Sequence, residues 1–218
     1  MTSVTEPQHD ALDAASLAVA DPGRQLDDVL GLPDQLRDAL WKAESANLGT
    51  WDSPRGLVVA GMGGSGIGGR LARAILADQA SRPILSAGTY GLPPWTTAET
   101  TVLCSSYSGE TEETLACFEA AGVIGARRVV ATTGGRLAEQ ARAEGVPVIP
   151  IAGGLQPRAA VAYLTVAALE VAAACGAGPR LSPEIDVAGG HLEQLVADWG
   201  PDSPPDSEAK ALARALTG

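Results

Sequence analysis

From Gly56 onward, short apolar runs alternate with stretches whose apolar residues repeat at helical spacing. The runs predict strands over residues 57–60, 83–86, 101–105, 128–132 and 146–151. The intervening stretches predict helices through residues 71–80, 114–121, 137–144 and 157–175. Runs such as Leu57, Val58, Val59, Ala60 are apolar throughout, with no polar alternation. A strand of that kind is buried on both faces, and strands alternating with helices imply a parallel sheet covered on both sides. In such sheets ligands sit where strand passes into helix, at the carboxyl ends of the strands. Chemistry is therefore expected just after Ala60, Ser105, Thr132 and Ile151.

The chain on either side reads differently. Residues 1–50 predict a helical N-terminal extension, with Leu36, Leu40 and Trp41 on one side of a helix over 34–47 and Pro33 near its first turn. Residues 1–10 are polar and are expected to be disordered. A further helical pattern covers 183–199. It is followed by the proline-rich stretch 200–207, which reads as a linker, and by a helical start over 208–216. This gives an extension over 1–50, one α/β domain over 51–199, and a linker with the beginning of another element over 200–218.

Composition narrows the classes. The formal net charge of −11 argues against a nucleic-acid backbone as partner. Two of the fifteen basic residues are lysines, Lys42 and Lys210, so a phosphate ligand must be held mainly by backbone N–H groups and hydroxyls. Cys104, Cys117 and Cys175 are scattered and odd in number, which predicts reduced core thiols. His9 and His191 are too few to suggest a metal site. The most apolar stretch, 159–175, is Ala-rich and includes Glu170, which favours a buried helix over a membrane span. No apolar signal segment opens the chain, and a cytoplasmic location is expected.

Two loops carry candidate chemistry. The first, Gly61 to Gly69, follows a buried run, and its Gly61, Gly63 and Gly66 satisfy GxGxxG. A dinucleotide site would need an acidic residue at the end of the next strand, and that strand ends in Ile84, Leu85, Ser86 and Ala87. A phosphate-binding P-loop would need Lys where Ile67 stands. What remains is close backbone approach to a ligand, or tight strand–helix packing. The second loop, Ser105 to Thr114, places the hydroxyls of Ser106, Ser108 and Thr111 around Gly109 at a helix N-terminus. Free N–H groups, the positive end of the helix dipole and three hydroxyls can hold a phosphate without Lys or Arg. Ordinary helix capping needs one hydroxyl, and three in six residues exceed it.

Gly61-Met62-Gly63-Gly64-Ser65-Gly66, followed some forty residues later by Ser106-Tyr107-Ser108-Gly109 and Thr111, resembles the sugar isomerase (SIS) domain. More narrowly it resembles the bifunctional phosphoglucose/phosphomannose isomerases, over about residues 30–217. Gln156-Pro157-Arg158, entering a helix with Tyr163, is similar to that family's Pro-Arg element. The resemblance implies a three-layer SIS fold with a five-stranded parallel sheet. It implies that Gly63, Gly64 and Ser65 line the sugar, that Ser106, Ser108, Gly109 and Thr111 bind phosphate, and that Arg158 stabilises negative charge on an enediol-like intermediate. Arg suits that role because it stays charged.

By the same resemblance, the reaction interconverts glucose or mannose 6-phosphate with fructose 6-phosphate, using no metal and no organic cofactor. The ligand is then a small sugar phosphate, with neither nucleic acid nor membrane as partner, and the full-length protein is expected to be a homodimer. The family's catalytic Glu, His and Lys come from a second SIS domain and match no position here, so binding is expected to exceed turnover in this chain. Two alternatives stand beside this reading. A sugar-phosphate-sensing regulator would place a basic helix-turn-helix ahead of the domain, where residues 1–50 are acidic. A phosphoheptose-type isomerase would need more histidines than this chain has.

Overall fold

The computed structural model describes residues 12–216. The disorder expected over residues 1–10, and His9, fall outside the described residues. In chain order the elements are α1 (Ala14–Ala20), α2 (Gln25–Leu30), α3 (Leu32–Ser45), β1 (Leu57–Ala60), α4 (Gly63–Leu76), β2 (Ile84–Ala87), β3 (Thr101–Ser105) and α5 (Glu112–Ile124). There follow β4 (Arg127–Thr132), α6 (Gly135–Ala143), β5 (Val148–Pro150), α7 (Val161–Ala174), α8 (Ser182–Trp199) and α9 (Glu208–Leu216). The chain divides into a larger unit, residues 34–186, and a smaller helical unit formed by the residues before and after it.

The larger unit is built on one sheet of five strands in the order β2-β1-β3-β4-β5, with every pairing parallel. Alternate residues of the apolar runs feed two cores. Leu57, Val59, Leu103, Val129 and Ile149 pack with α4 and α7 residues such as Ala72, Leu76, Leu164 and Val171. Val58, Ala60, Val102, Cys104 and Val130 pack with Leu115, Phe118 and Ala121 of α5 and Leu137 of α6. That division explains why the runs carry no polar alternation: both faces of each strand are interior. The result is the three-layer SIS fold.

One helix departs from its sequence pattern. The helix expected through 71–80 begins at Gly63, and its first two turns contain Gly63, Gly64, Gly66, Gly68 and Gly69. Glycine disfavours helix by roughly 1 kcal/mol per residue relative to Ala, but here close packing offsets that cost. A Cβ on Gly68 would lie 2.4 Å from the carbonyl oxygen of Leu164 in α7, and one on Gly69 would lie 2.7 Å from Cβ of Val59 in β1. Only a bare backbone lets α4 pack this tightly between α7 and the sheet.

Cys104, Cys117 and Cys175 are free and buried, and burial pushes the Cys104 thiol upward. No helix among the described residues is long and apolar enough to cross a membrane.

α7 carries one charge, Glu170, whose side chain is 3% exposed and pairs with Arg180 Nη1 at 2.7 Å. Its Oε1 meets no hydrogen-bond donor. Burial raises its pKa above the ordinary 4.5 against the opposing pull of Arg180. The folded chain thus holds this proton more tightly than the unfolded chain. Stability from this group is complete below its ordinary value and is lost as the pH rises through the raised folded value. Glu170→Gln should remove that loss, so urea midpoints compared at about pH 4 and pH 7 should shift in the variant's favour on going to the higher pH. A wild-type-to-variant difference that is the same at both pH values would show that Glu170 does not titrate in this way.

Candidate functional site

Four loops leave the carboxyl ends of β1, β3, β4 and β5, and hydrogen bonds tie them into one assembly. The β1–α4 loop meets the β3–α5 loop where the Tyr107 N–H donates to Ser65 Oγ at 3.0 Å. A Cβ on Gly61 would lie 2.7 Å from the Ser105 carbonyl oxygen, so the two turns are in direct backbone contact. Both motif loops therefore open on the same edge of the sheet.

The β4–α6 loop braces the second motif from the other side. The Tyr107 carbonyl accepts from the Thr133 N–H at 3.1 Å and from Thr133 Oγ1 at 2.7 Å. Glu110 accepts from the Arg136 N–H at 2.8 Å and from Arg136 Nε at 2.7 Å. The bonds from Arg136 hold the Glu110 carboxyl below the usual carboxylate range, which keeps it ionised and committed to α6. Gly109 turns with φ +71°, in the left-handed region, and a Cβ there would overlap the Gly134 carbonyl oxygen.

Within this frame the three hydroxyls differ. Ser106 is fully buried; its Oγ accepts the Gly109 N–H at 3.1 Å and lies 2.9 Å from Thr111 Oγ1. Either hydroxyl can be the donor of that pair, and each oxygen carries one proton, so one proton stays free. Because Ser106 has no access to solvent, the arrangement that wastes no donor has Ser106 donating and Thr111 keeping its proton for a ligand. Ser108 is exposed and accepts the Glu110 N–H at 3.2 Å, so its own proton is also available. None of the three caps α5: Thr111 stands at the N-cap position and makes no side-chain capping bond. The ordinary capping role considered for these hydroxyls is therefore absent, and the amino end of α5 stays open to an anion.

The glycines of the first loop also divide. Gly61, Gly66, Gly68 and Gly69 serve packing, whereas a Cβ on Gly63 would meet nothing within 4 Å. Gly64 lies against the β5–α7 segment, where a Cβ would sit 3.1 Å from the Pro157 carbonyl oxygen and 3.4 Å from Cα of Arg158. The structure thus brings Arg158 to the first motif across more than ninety residues of chain. Arg158 is exposed and makes no ion pair among the described residues.

No family model matches the chain. Over 191 residues, 87% of this chain, it is 37% identical to a protein named bifunctional phosphoglucose/phosphomannose isomerase from Caldicellulosiruptor bescii. By sequence, the chain is similar to the bifunctional phosphoglucose/phosphomannose isomerases over most of its own length. A second relative of that name, from Thermoplasma acidophilum, is 41% identical over 131 residues, 60% of this chain. These matches cover 55% and 39% of the two relatives, so the chain spans about half the length of the curated relatives it matches. A solved structure, a hypothetical protein from Thermus thermophilus, superposes with a TM-score of 0.59 over 92% of this chain and 50% of its own. At 23% identity that likeness speaks for the fold alone.

Two parts of the site were not singled out by local sequence. Tyr107 lies inside the second motif, yet nothing local marks it as the residue touching the other three loops. Thr132-Thr133-Gly134-Gly135 follows a strand end where chemistry was expected, and the pattern of hydroxyls and glycines was the available signal. Lys42 is held by Asp38 at 2.9 Å, and within the smaller unit Lys210 donates to the Pro201 and Ser203 carbonyls. Asp38 also accepts from the buried Tyr163 hydroxyl at 2.7 Å, and burial together with that bond pushes the phenol upward.

Proposed function

We propose that this chain supplies the sugar-phosphate-binding domain of an aldose–ketose isomerase that interconverts glucose or mannose 6-phosphate with fructose 6-phosphate. The observation that carries the proposal is the uncapped amino end of α5 with the hydroxyls of Ser108 and Thr111 beside it. Phosphate would take hydrogen bonds from these hydroxyls and from the α5 amides, with Ser106 orienting Thr111 and Gly109 shaping the turn. The sugar would lie toward Gly63, Gly64 and Ser65, with Arg158 at its far end.

Isomerisation moves a proton between C1 and C2 through an enediol-like intermediate, and the negative charge that develops on oxygen there is what Arg158 would stabilise. No histidine occurs in residues 34–186, and Glu110, a carboxylate beside the candidate phosphate loop, is occupied by Arg136. Proton transfer and ring opening therefore call for groups outside this unit, in line with the Glu, His and Lys that the family resemblance assigns to a second SIS domain. A homodimer of the full-length protein, a cytoplasmic setting and work without metal or organic cofactor belong to the same proposal.

Calorimetric titration with fructose 6-phosphate and 6-phosphogluconate tests the binding half, and an isomerase assay on the 218-residue chain tests the rest. Binding with little turnover is expected. Absence of binding to either ligand would overturn the phosphate-site assignment. Full turnover would place the acid and base within this chain. A titration with NADH discriminates the first loop's other reading, and micromolar affinity would favour a dinucleotide.

A further inference from the structure

We infer that Tyr107 is a positioning residue that sets the place of Arg158, by latching the β5–α7 segment to the phosphate loop through its phenolic oxygen. The Leu155 N–H donates to the Tyr107 hydroxyl oxygen at 2.9 Å. That bond joins the second motif to the segment that ends in Pro157 and Arg158.

The case rests on how few hydrogen bonds hold this segment. Between the end of β5 and the start of α7, the backbone is tied to other loops by the Ile151 N–H to the Thr132 carbonyl at 3.0 Å and by the Leu155 N–H to Tyr107. The bond from the Ala159 N–H to the Gln156 carbonyl is internal to the segment. Between the two anchors lie Gly153 and Gly154, where a Cβ would meet nothing within 4 Å. Two unpacked glycines give the chain wide rotational freedom, so Ile151 alone does not fix the residues after it.

Tyr107 is itself immobilised. Its N–H is bonded to Ser65, its carbonyl accepts from Thr133, and its side chain packs against the core that α7 shares with the sheet. The phenol is thus a fixed post, and the segment it holds is the one whose backbone touches Gly64. A guanidinium that meets developing charge must be in place before the charge appears, because pre-organisation is what gives such a group its effect. With its N–H, carbonyl and hydroxyl all engaged by protein groups, Tyr107 acts through the placement of Arg158.

This inference rests on the proposed sugar-phosphate site for its functional consequence, and the test separates the two. Tyr107→Phe keeps the ring and removes the acceptor. Hydrogen exchange at the Leu155 amide should speed up in the variant, a readout that needs no ligand. Binding is then compared for 6-phosphogluconate, whose carboxylate sits at the carbon end facing Arg158, and for glucitol 6-phosphate, which carries an uncharged alcohol there. Arg158→Ala should abolish the wild-type preference for the carboxylate. Tyr107→Phe should cut that preference about 3- to 10-fold, as expected for one neutral hydrogen bond, with glucitol 6-phosphate affinity unchanged. The double variant should lose no more than Arg158→Ala alone.

An unchanged Leu155 exchange rate, or a preference retained in full, would overturn the latch. Equal losses for both ligands would show a general structural role and overturn it too. If the wild-type chain binds neither ligand, the sugar-phosphate reading fails, while the exchange rate still decides whether the latch exists. Should Tyr107→Phe not fold, Leu155→Pro removes the donor from the other side of the same bond.

Discussion

Gly109→Ala should leave a chain that is markedly destabilised and does not bind sugar phosphate. The residue sits at φ +71°, where a side chain costs about 1–2 kcal/mol, and its Cβ would overlap the carbonyl oxygen of Gly134. That neighbour is backbone, so relief requires the β3–α5 and β4–α6 loops to separate. Separation would also disturb the Gly109 N–H bond to Ser106, the Leu137 N–H bond to the Gly109 carbonyl, and the Glu110 bonds to Arg136. Strain of this kind, added to two or three displaced hydrogen bonds, amounts to roughly 3–5 kcal/mol. A domain of ordinary stability, about 5–15 kcal/mol, would lose a large share of it. Gly63→Ala is the matched control, because Gly63 also has a positive φ of +50° but faces open space. It should cost about 1–2 kcal/mol. Urea midpoints for the two variants decide the matter, and equal midpoints would show that the backbone contact at Gly109 yields freely.

Ser108→Ala combined with Thr111→Ala should abolish measurable binding of fructose 6-phosphate while leaving the fold intact. Each hydroxyl keeps a proton free for a ligand in the arrangement that satisfies Ser106, and each would donate to a charged phosphate oxygen. Hydrogen bonds to charged groups contribute about 1.5–3 kcal/mol each, so the pair accounts for about 3–6 kcal/mol if the two add. That corresponds to at least a hundredfold loss of affinity. Ser108 is exposed and Thr111 makes no capping bond, so the folded state loses only the Ser106–Thr111 and Ser108–Glu110 hydrogen bonds, about 1–3 kcal/mol in all. Ser106→Ala differs in kind: it should weaken binding through Thr111 and also lower stability, because the buried Gly109 N–H would lose its 3.1 Å side-chain acceptor and keep only the 3.3 Å bond to the Ser106 carbonyl. Wild-type affinity in the double variant would remove the phosphate from this loop.

The layers of this protein and the sheet edge that carries its candidate site were legible in local sequence. Strand burial on both faces is written in consecutive residues, so Leu57–Ala60 and Thr101–Ser105 could be bounded to the residue. The candidate phosphate loop was legible for the same reason, since hydroxyls, glycine and a helix start fall within six positions of one another. Helix starts were less so. α4 begins eight residues before its apolar pattern because Gly68 and Gly69 give up helix propensity for contacts with Leu164 and Val59, which no local window contains. Folding was needed to separate the glycines of the first loop that pack from those that stay open, and to bury Ser106 while leaving Ser108 exposed. Folding also set Arg158 beside Gly64 and gave Tyr107 its bonds to Ser65, Thr133 and Leu155. The physical reason is common to all of these. Each depends on backbone from strands far apart in the chain arriving at one edge of a parallel sheet. In such a sheet every neighbour is reached through a crossover, so the contacts that finish the site are non-local.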